Sequence, residues 1–271
     1  MSTMAMPLAA NLSLLFEADV PWPERCQRVA ARGFEFAEIL FPYDQPMARY
    51  RQCLEAAGLK TVLINTPVNN HFGLAAVDGA QAQFQAELDQ AISVATSLGA
   101  GAIHVMAGRS QPGIHLSLTT LLGNLEHAVR RAEGAGLVLL LEALNRQDAP
   151  GYFYSRPAQV VAVLDALPCV QLRQQFDIYH TLREGLPLMD ELQRCRTHIA
   201  HVQIAQPPSR SEPVLHQGDM LNALQALANT GYQGWLGCEY RPANGFENGL
   251  DWLAPLRDGS VVRPLAEKEA R

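Results

Sequence analysis

With 271 residues and 48% hydrophobic content, the chain has the material for one large core, and about 250 residues is the ordinary size of a single α/β barrel. Its 21 basic and 27 acidic side chains give a formal net charge of −6 with no basic block, which argues against a nucleic-acid partner. No apolar stretch approaches the roughly 18 residues of a membrane span, and residues 1–7 lack the basic start and apolar run of a secretory signal. Five cysteines (Cys26, Cys53, Cys169, Cys195 and Cys238) without C-x-x-C spacing suit the reduced thiols of a cytoplasmic protein better than a disulfide scaffold or a zinc knuckle.

Apolar runs and amphipathic stretches then alternate. After a first run at 8–12, a helix over 23–32 stops at Gly33 and leads into a run at 36–40. A helix over 45–57 stops at Gly58 before a run at 61–64, and one over 80–98 stops at Gly99 before a run at 102–106. A helix over 116–135 stops at Gly136 and leads into 138–141. Runs at 170–176 and 199–202 follow, and a helix over 219–230 stops at Gly231 before the last run, 235–238. Glycine suits such stops because the residue after a helix often needs positive φ.

Near-continuous apolar strands separated by helices indicate a buried parallel sheet. Eight of them predict a (β/α)8 TIM barrel of parallel strands, one domain over 1–271 with its core at about 8–256. An open doubly wound sheet is the runner-up, weakened by the lack of any G-x-G-x-x-G after a strand. The loops 65–79 and 205–217 are long enough to build a pocket, and the polar tail 258–271 is expected at the surface.

Four of the runs lead into an oxygen donor: Glu142, Asp177, Gln203 and Glu239. Packing gives no reason for that recurrence. A barrel gathers the C-terminal ends of its strands around one axis, and adjacent strands lie about 4.8 Å apart. Three carboxylates and an amide meeting there make a site for a hard divalent cation, Mg²⁺ or Mn²⁺ rather than zinc.

Several segments resemble the hydroxypyruvate isomerase family of sugar isomerase/epimerase barrels. They are Val138-Leu-Leu-Leu-Glu142-Ala-Leu-Asn145, Gln175-Phe-Asp177-Ile-Tyr-His180, His201-Val-Gln203-Ile-Ala205 and Gly237-Cys-Glu239-Tyr-Arg-Pro242, with Ala10-Asn-Leu-Ser13, Glu38-Ile-Leu-Phe-Pro-Tyr43 and His104-Val-Met-Ala-Gly108. The resemblance spans 8–256 and implies a metal held by Glu142, Asp177, Gln203 and Glu239, with Glu142 and Glu239 moving the proton. It implies an isomerase that converts hydroxypyruvate to tartronate semialdehyde without a redox cofactor. A 2-oxo-tetronate isomerase or a ketose epimerase of the same fold is the near alternative, and a metal-dependent phosphodiesterase or nuclease is the alternative of a different class. The chemistry is consistent with these roles, since a carboxylate on each face of a planar enediolate serves as base and acid.

The remaining candidates are contacts to substrate. His180, three residues past Asp177, is placed to donate to a substrate oxygen. Arg210 in the long seventh loop is the best fork for a substrate carboxylate. His104 is read either as pocket lining or as a core histidine, and His201 as a core histidine. Asn65 ends the third strand with Thr66, as in the family, and His71 is read as a local contact where residues 67–72 depart from the family's more glycine-rich loop. The expected partner is a small hydroxy-oxo acid, with no nucleic acid and no membrane; a homo-oligomer is compatible with the sequence.

Overall fold

The structure, a computed structural model, describes residues 6–68, 71–215 and 218–257. The tail 258–271 and residues 1–5, on which two of the expectations fall, lie outside the described residues. Eight parallel strands close into a barrel in sequence order, β8 pairing back onto β1. They are β1 (Leu8–Asn11), β2 (Phe36–Ile39), β3 (Lys60–Asn65), β4 (Ala102–His104), β5 (Val138–Glu142), β6 (Leu172–Asp177), β7 (Ile199–Ile204) and β8 (Leu236–Cys238).

Helices α1 (Trp22–Ala31), α2 (Met47–Ala57), α3 (Gln81–Leu98), α4 (Leu118–Ala135) and α8 (Asp219–Asn229) fall where the sequence predicts them. Gly58, Gly99 and Gly136 end three of them at φ of 68°, 66° and 68°, left-handed conformations that a side chain resists. Helices α5 (Pro157–Ala166), α6 (Ile178–Arg183), α7 (Leu188–Cys195) and the short α9 (Ala254–Arg257) were not foreseen. The α5 sequence is rich in valine, which favours strands, but Pro157 starts the helix and Gln159 Oε1 accepts from the Ser155 and Arg156 backbone N–H groups at 3.0 Å each.

Strand β6 also departs from expectation. It begins at Leu172, leaving Val170 77% exposed, and its sequence is LRQQFD rather than an apolar run. The polarity has a cause inside the barrel. A strand-only cluster of Ala9, Val62, Leu63 and Leu140, with Phe36, Ala102, Val138, Ala200 and Trp235 against it, fills the interior toward the N-terminal end. Above it the interior turns polar: Asn11, Glu38, His104, Glu142, Gln175, His201 and Gln203 are all buried. The ladder register shifts between Ala37 and Glu38 on β2 and between Gln174 and Gln175 on β6, near the change from apolar to polar. Such irregularities re-aim side chains. Among the described residues, no helix is long and apolar enough to cross a membrane.

Candidate active site

Glu142 is the last residue of β5 and Asp177 the last of β6, with Asp177 level with Gln203 on β7 and Gln203 level with Gly237 on β8. Glu239 follows β8 directly. The four residues therefore sit at neighbouring strand ends, and each is at most 6% exposed.

The structure holds one side of this cluster and leaves the other free. Asp177 caps α6, its Oδ1 accepting from the Tyr179 N–H at 2.6 Å and the His180 N–H at 3.3 Å. Glu142 Oε2 accepts from Gln175 Nε2 at 2.8 Å. The remaining oxygens, Glu142 Oε1 and Asp177 Oδ2, are buried without a hydrogen bond, and so is Glu239 Oε2. Buried acceptors without donors are costly, so Glu142 Oε1 and Asp177 Oδ2 together suit a cation, while Glu239 Oε2 has Arg210 as its counter-charge. Gln203 Oε1 accepts one bond, from Gln175 Nε2 at 2.6 Å, which leaves a carbonyl lone pair for a further partner.

Arg210 is the local counter-charge. Its Nη2 lies 2.8 Å from Glu239 Oε2, an ion pair without hydrogen-bond alignment, and 3.7 Å from Asp177 Oδ2. Its guanidinium also stands 4.9 Å over the Tyr179 ring. The sequence assigns this arginine to a substrate carboxylate; in the structure it faces inward, on the protein's own acids. Burial opposes its charge, but Glu239, then Asp177 and Glu142, raise its pKa overall.

The acids respond in the opposite sense. Burial, then the Glu239 and Asp177 charges, push the Glu142 carboxyl well above the carboxylate range. Burial raises Glu239 to about 8 against the pull of Arg210. Burial also raises Asp177, opposed by Arg210 and the two backbone donors.

Two histidines complete the site. His180 Nδ1 accepts from the Asn145 backbone N–H at 3.0 Å, so this ring carries its proton on Nε2. That nitrogen is 4.0 Å from Glu142 Oε1 and 3.7 Å from Asp177 Oδ2. Glu142, Asp177 and His180 thus bring three ligand-type atoms within 4.8 Å of one another. The tautomer makes His180 Nε2 a hydrogen-bond donor, whereas a metal ligand needs a bare nitrogen. Burial, then Arg210 and His104, lower its pKa well below the usual value, so the ring stays neutral. His104 Nδ1 lies 3.3 Å from Glu142 Oε2, and burial lowers its pKa to about 3.

Glu142, Glu239, His104, His180, Arg210 and Asn65 line one cavity of about 170 Å³, with Phe72, Met106 and Leu144 among its apolar walls. Asp177 and Gln203 are not among its lining residues. His71 is not among the lining residues; its ring faces Gln111 at 3.5 Å, and the next residue, Phe72, reaches the cavity instead. Tyr43 donates to the Asn65 carbonyl, whereas Tyr240 is fully buried and accepts from Trp252 Nε1 at 3.1 Å. Trp22 packs edge-on against Tyr50 at 4.9 Å, a packing role at the start of α1.

Sequence reasoning missed Glu38, Gln175 and Asn145, all buried and bonded to the predicted residues. The signal for Glu38 was present: a glutamate inside the apolar run 36–40 has no partner in its own strand. His201, read as a core histidine, is buried with Nε2 2.6 Å from Glu38 Oε1.

The xylose isomerase-like TIM barrel family matches residues 26–256, and the chain belongs to it. Named enzymes match over nearly the whole length. The hydroxypyruvate isomerase of Escherichia coli (strain K12) is 31% identical over 258 residues, covering 92% of this chain and 98% of that protein. The 2-oxo-tetronate isomerase of Cupriavidus necator is 36% identical over 254 residues, covering 91% and 97%. A solved Brucella melitensis structure named AP endonuclease, family 2, superposes with a TM-score of 0.85 at 31% identity, covering 92% and 98%. The protein is an isomerase of the hydroxypyruvate isomerase family.

Proposed function

We propose that the chain interconverts hydroxypyruvate and tartronate semialdehyde by proton transfer between neighbouring carbons. The observation that carries this reading is that Glu142 and Glu239, from different strands, line the same small cavity. One carboxylate takes the proton from the hydroxymethyl carbon, giving an enediolate, and the other returns a proton to the adjacent carbon. The hydroxyl proton passes from the terminal oxygen to the neighbouring one, so the atoms balance without an oxidant or reductant.

A divalent cation, Mg²⁺ or Mn²⁺, held by Glu142, Asp177, Gln203 and Glu239 would stabilise negative charge developing on the two substrate oxygens. His180 Nε2–H donates to one of those oxygens; being neutral, it does so without surrendering its proton to the site acids. Arg210, which lines the cavity, meets the substrate carboxylate on turning from Glu239. His104 and Asn65 close the polar side of the pocket, and Phe72 and Met106 exclude water from the other.

The relative from C. necator favours a second reading, a 2-oxo-tetronate isomerase, because one added carbon leaves the proton-transfer chemistry unchanged. A metal-dependent nuclease is served worse by a cavity of about 170 Å³ and a net charge of −6. Turnover of hydroxypyruvate, 2-oxo-tetronate and free ketoses, compared before and after chelation and with Mn²⁺ restored, tests the proposal. Hydroxypyruvate should give tartronate semialdehyde, labelled from D₂O at the receiving carbon. Turnover of the ketoses alone would overturn the acid-substrate reading.

A further inference from the structure

Glu38 is 0% exposed inside the barrel and does not line the cavity. Its Oε2 accepts from Asn11 Nδ2 at 2.9 Å and from Gln203 Nε2 at 3.0 Å, and its Oε1 lies 2.6 Å from His201 Nε2. The Asn11 amide is itself fixed, since its Oδ1 accepts from the Ser13 and Leu14 N–H groups at 3.1 Å each. Strand β8, which pairs with β7, makes room: a Cβ on Gly237 would meet Glu38 Oε1 at 2.0 Å and Gln203 Cγ at 2.9 Å. Burying a carboxylate costs several kcal/mol before its bonds are counted, so a packing role alone accounts poorly for it.

The consequence lies in the Gln203 amide. A carboxylate only accepts, so Glu38 holds the NH₂ group of Gln203 toward itself and turns the oxygen the other way. The opposite orientation would set amide oxygen against carboxylate oxygen, and would turn the Gln203 NH₂ toward that of Gln175. Gln175 Nε2 carries the order onward, donating to Gln203 Oε1 at 2.6 Å and to Glu142 Oε2 at 2.8 Å. An amide oxygen is a cation ligand; an amide NH₂ is not.

We propose that Glu38 is a positioning residue that fixes the Gln203 amide with its oxygen toward the carboxylate cluster, and thereby sets the cation affinity of the site. This rests on the reading of Glu142, Asp177, Gln203 and Glu239 as the cation ligands. Glu38 acts through Gln203, so its contribution to cation binding vanishes when that amide is gone.

The test is Mn²⁺ affinity, read from the electron paramagnetic resonance signal of the free ion, in full-length variants whose folding is checked by circular dichroism. Asp177→Asn and Gln203→Ala should each weaken Mn²⁺ binding, the second about tenfold. Glu38→Asp keeps the charge but draws the carboxylate back by one methylene, and it too should weaken binding about tenfold. In the Gln203→Ala background the same change should cost less than about twofold. An equal cost of Glu38→Asp in both backgrounds, or no cost in the wild type, overturns the positioning role. Unchanged affinity in Asp177→Asn overturns the cation site itself, a separate result. If Glu38→Asp does not fold, Glu38→Gln takes its place in the same cycle, because its amide can face Gln203 either way round.

Discussion

The two ends of the barrel interior are built from the same strands to opposite rules. Toward the N-terminal end, Ala9, Val62, Leu63 and Leu140 form an apolar cluster with nothing to satisfy but packing. Toward the C-terminal end, Glu142, Asp177 and Glu239 are buried together around Arg210, and Glu38 is buried against Asn11, His201 and Gln203. On β5 the change takes two residues, from Leu140 to Glu142. The lower end lowers the free energy of the fold; the upper end raises it, because desolvated like charges repel. The structure thus places its chemistry where it is least stable alone and steadies it from below.

The sharpest way to break that contrast is to remove the charges at the top. Glu142→Gln and Glu239→Gln should each lower kcat by about a thousandfold, about 4 kcal/mol of transition-state stabilisation. Glu142→Gln should leave the chelated protein as stable as wild type or more so, because a crowded buried carboxyl gives way to an amide. Glu239→Gln also strips Arg210 of its partner and should be less stable than Glu142→Gln. Thermal melts of the chelated variants beside steady-state rates check both halves. Near-wild-type turnover in either variant would remove that residue from proton transfer.

The opposite change at the bottom should give the opposite result. Leu140 is 1% exposed, and Leu140→Ala should cost about 3–5 kcal/mol of stability, as cavities in packed cores do. Its kcat should stay within about twofold of wild type, since its side chain lies below the cavity and is not part of its lining. A thousandfold loss of kcat with an unchanged melting temperature would show the two ends to be one unit.

The two ends also differed in how far the sequence revealed them. The barrel was legible because strand and helix periods alternate, and because Gly58, Gly99 and Gly136 mark helix ends that require positive φ. The four strand-end donors were legible because Glu142 and Glu239 follow apolar runs, where their polarity stands out. Gln175 was not: it lies in a strand already polar at Arg173 and Gln174, and its role is set by a bond to Glu142 from 33 residues away. The inward turn of Arg210 was hidden too. Its loop position fits a substrate clamp, and only its 2.8 Å approach to Glu239 Oε2 identifies its partner in the free protein. His71 lies outside the cavity lining, and the next residue, Phe72 at φ 54°, is part of it.

The inward turn of Arg210 gives the next prediction. Arg210→Ala should raise KM for a carboxylate substrate about ten- to a hundredfold, with a much smaller change for a neutral ketose. Equal effects on both would leave Arg210 a counter-ion for Glu239 and Asp177 only. Arg210→Lys should restore the charge but not the two-pronged contact, and so should recover only part of the loss.

The smallest effect is a pH dependence that separates the ends without touching the bottom. In the chelated protein, Glu239 has a folded pKa of about 8 against the ordinary 4.5, so the folded state holds a proton that the unfolded state has released. Stability from this group is therefore present below pH 4.5 and is lost as the pH rises toward 8. His104, lowered from 6.5 to about 3, acts in the opposite sense, but only below pH 6.5. The window from pH 6.5 to 8 lies above the histidine range; there Glu239 alone should lower the unfolding free energy by at most about 2 kcal/mol, and Glu142, raised by burial, adds to the fall in the same sense. Saturating Mn²⁺ should flatten the slope by competing with the proton for the same oxygens, and Glu239→Gln should reduce it without metal. Leu140→Ala should shift the whole curve down and leave its slope intact, because the apolar end carries no proton to lose.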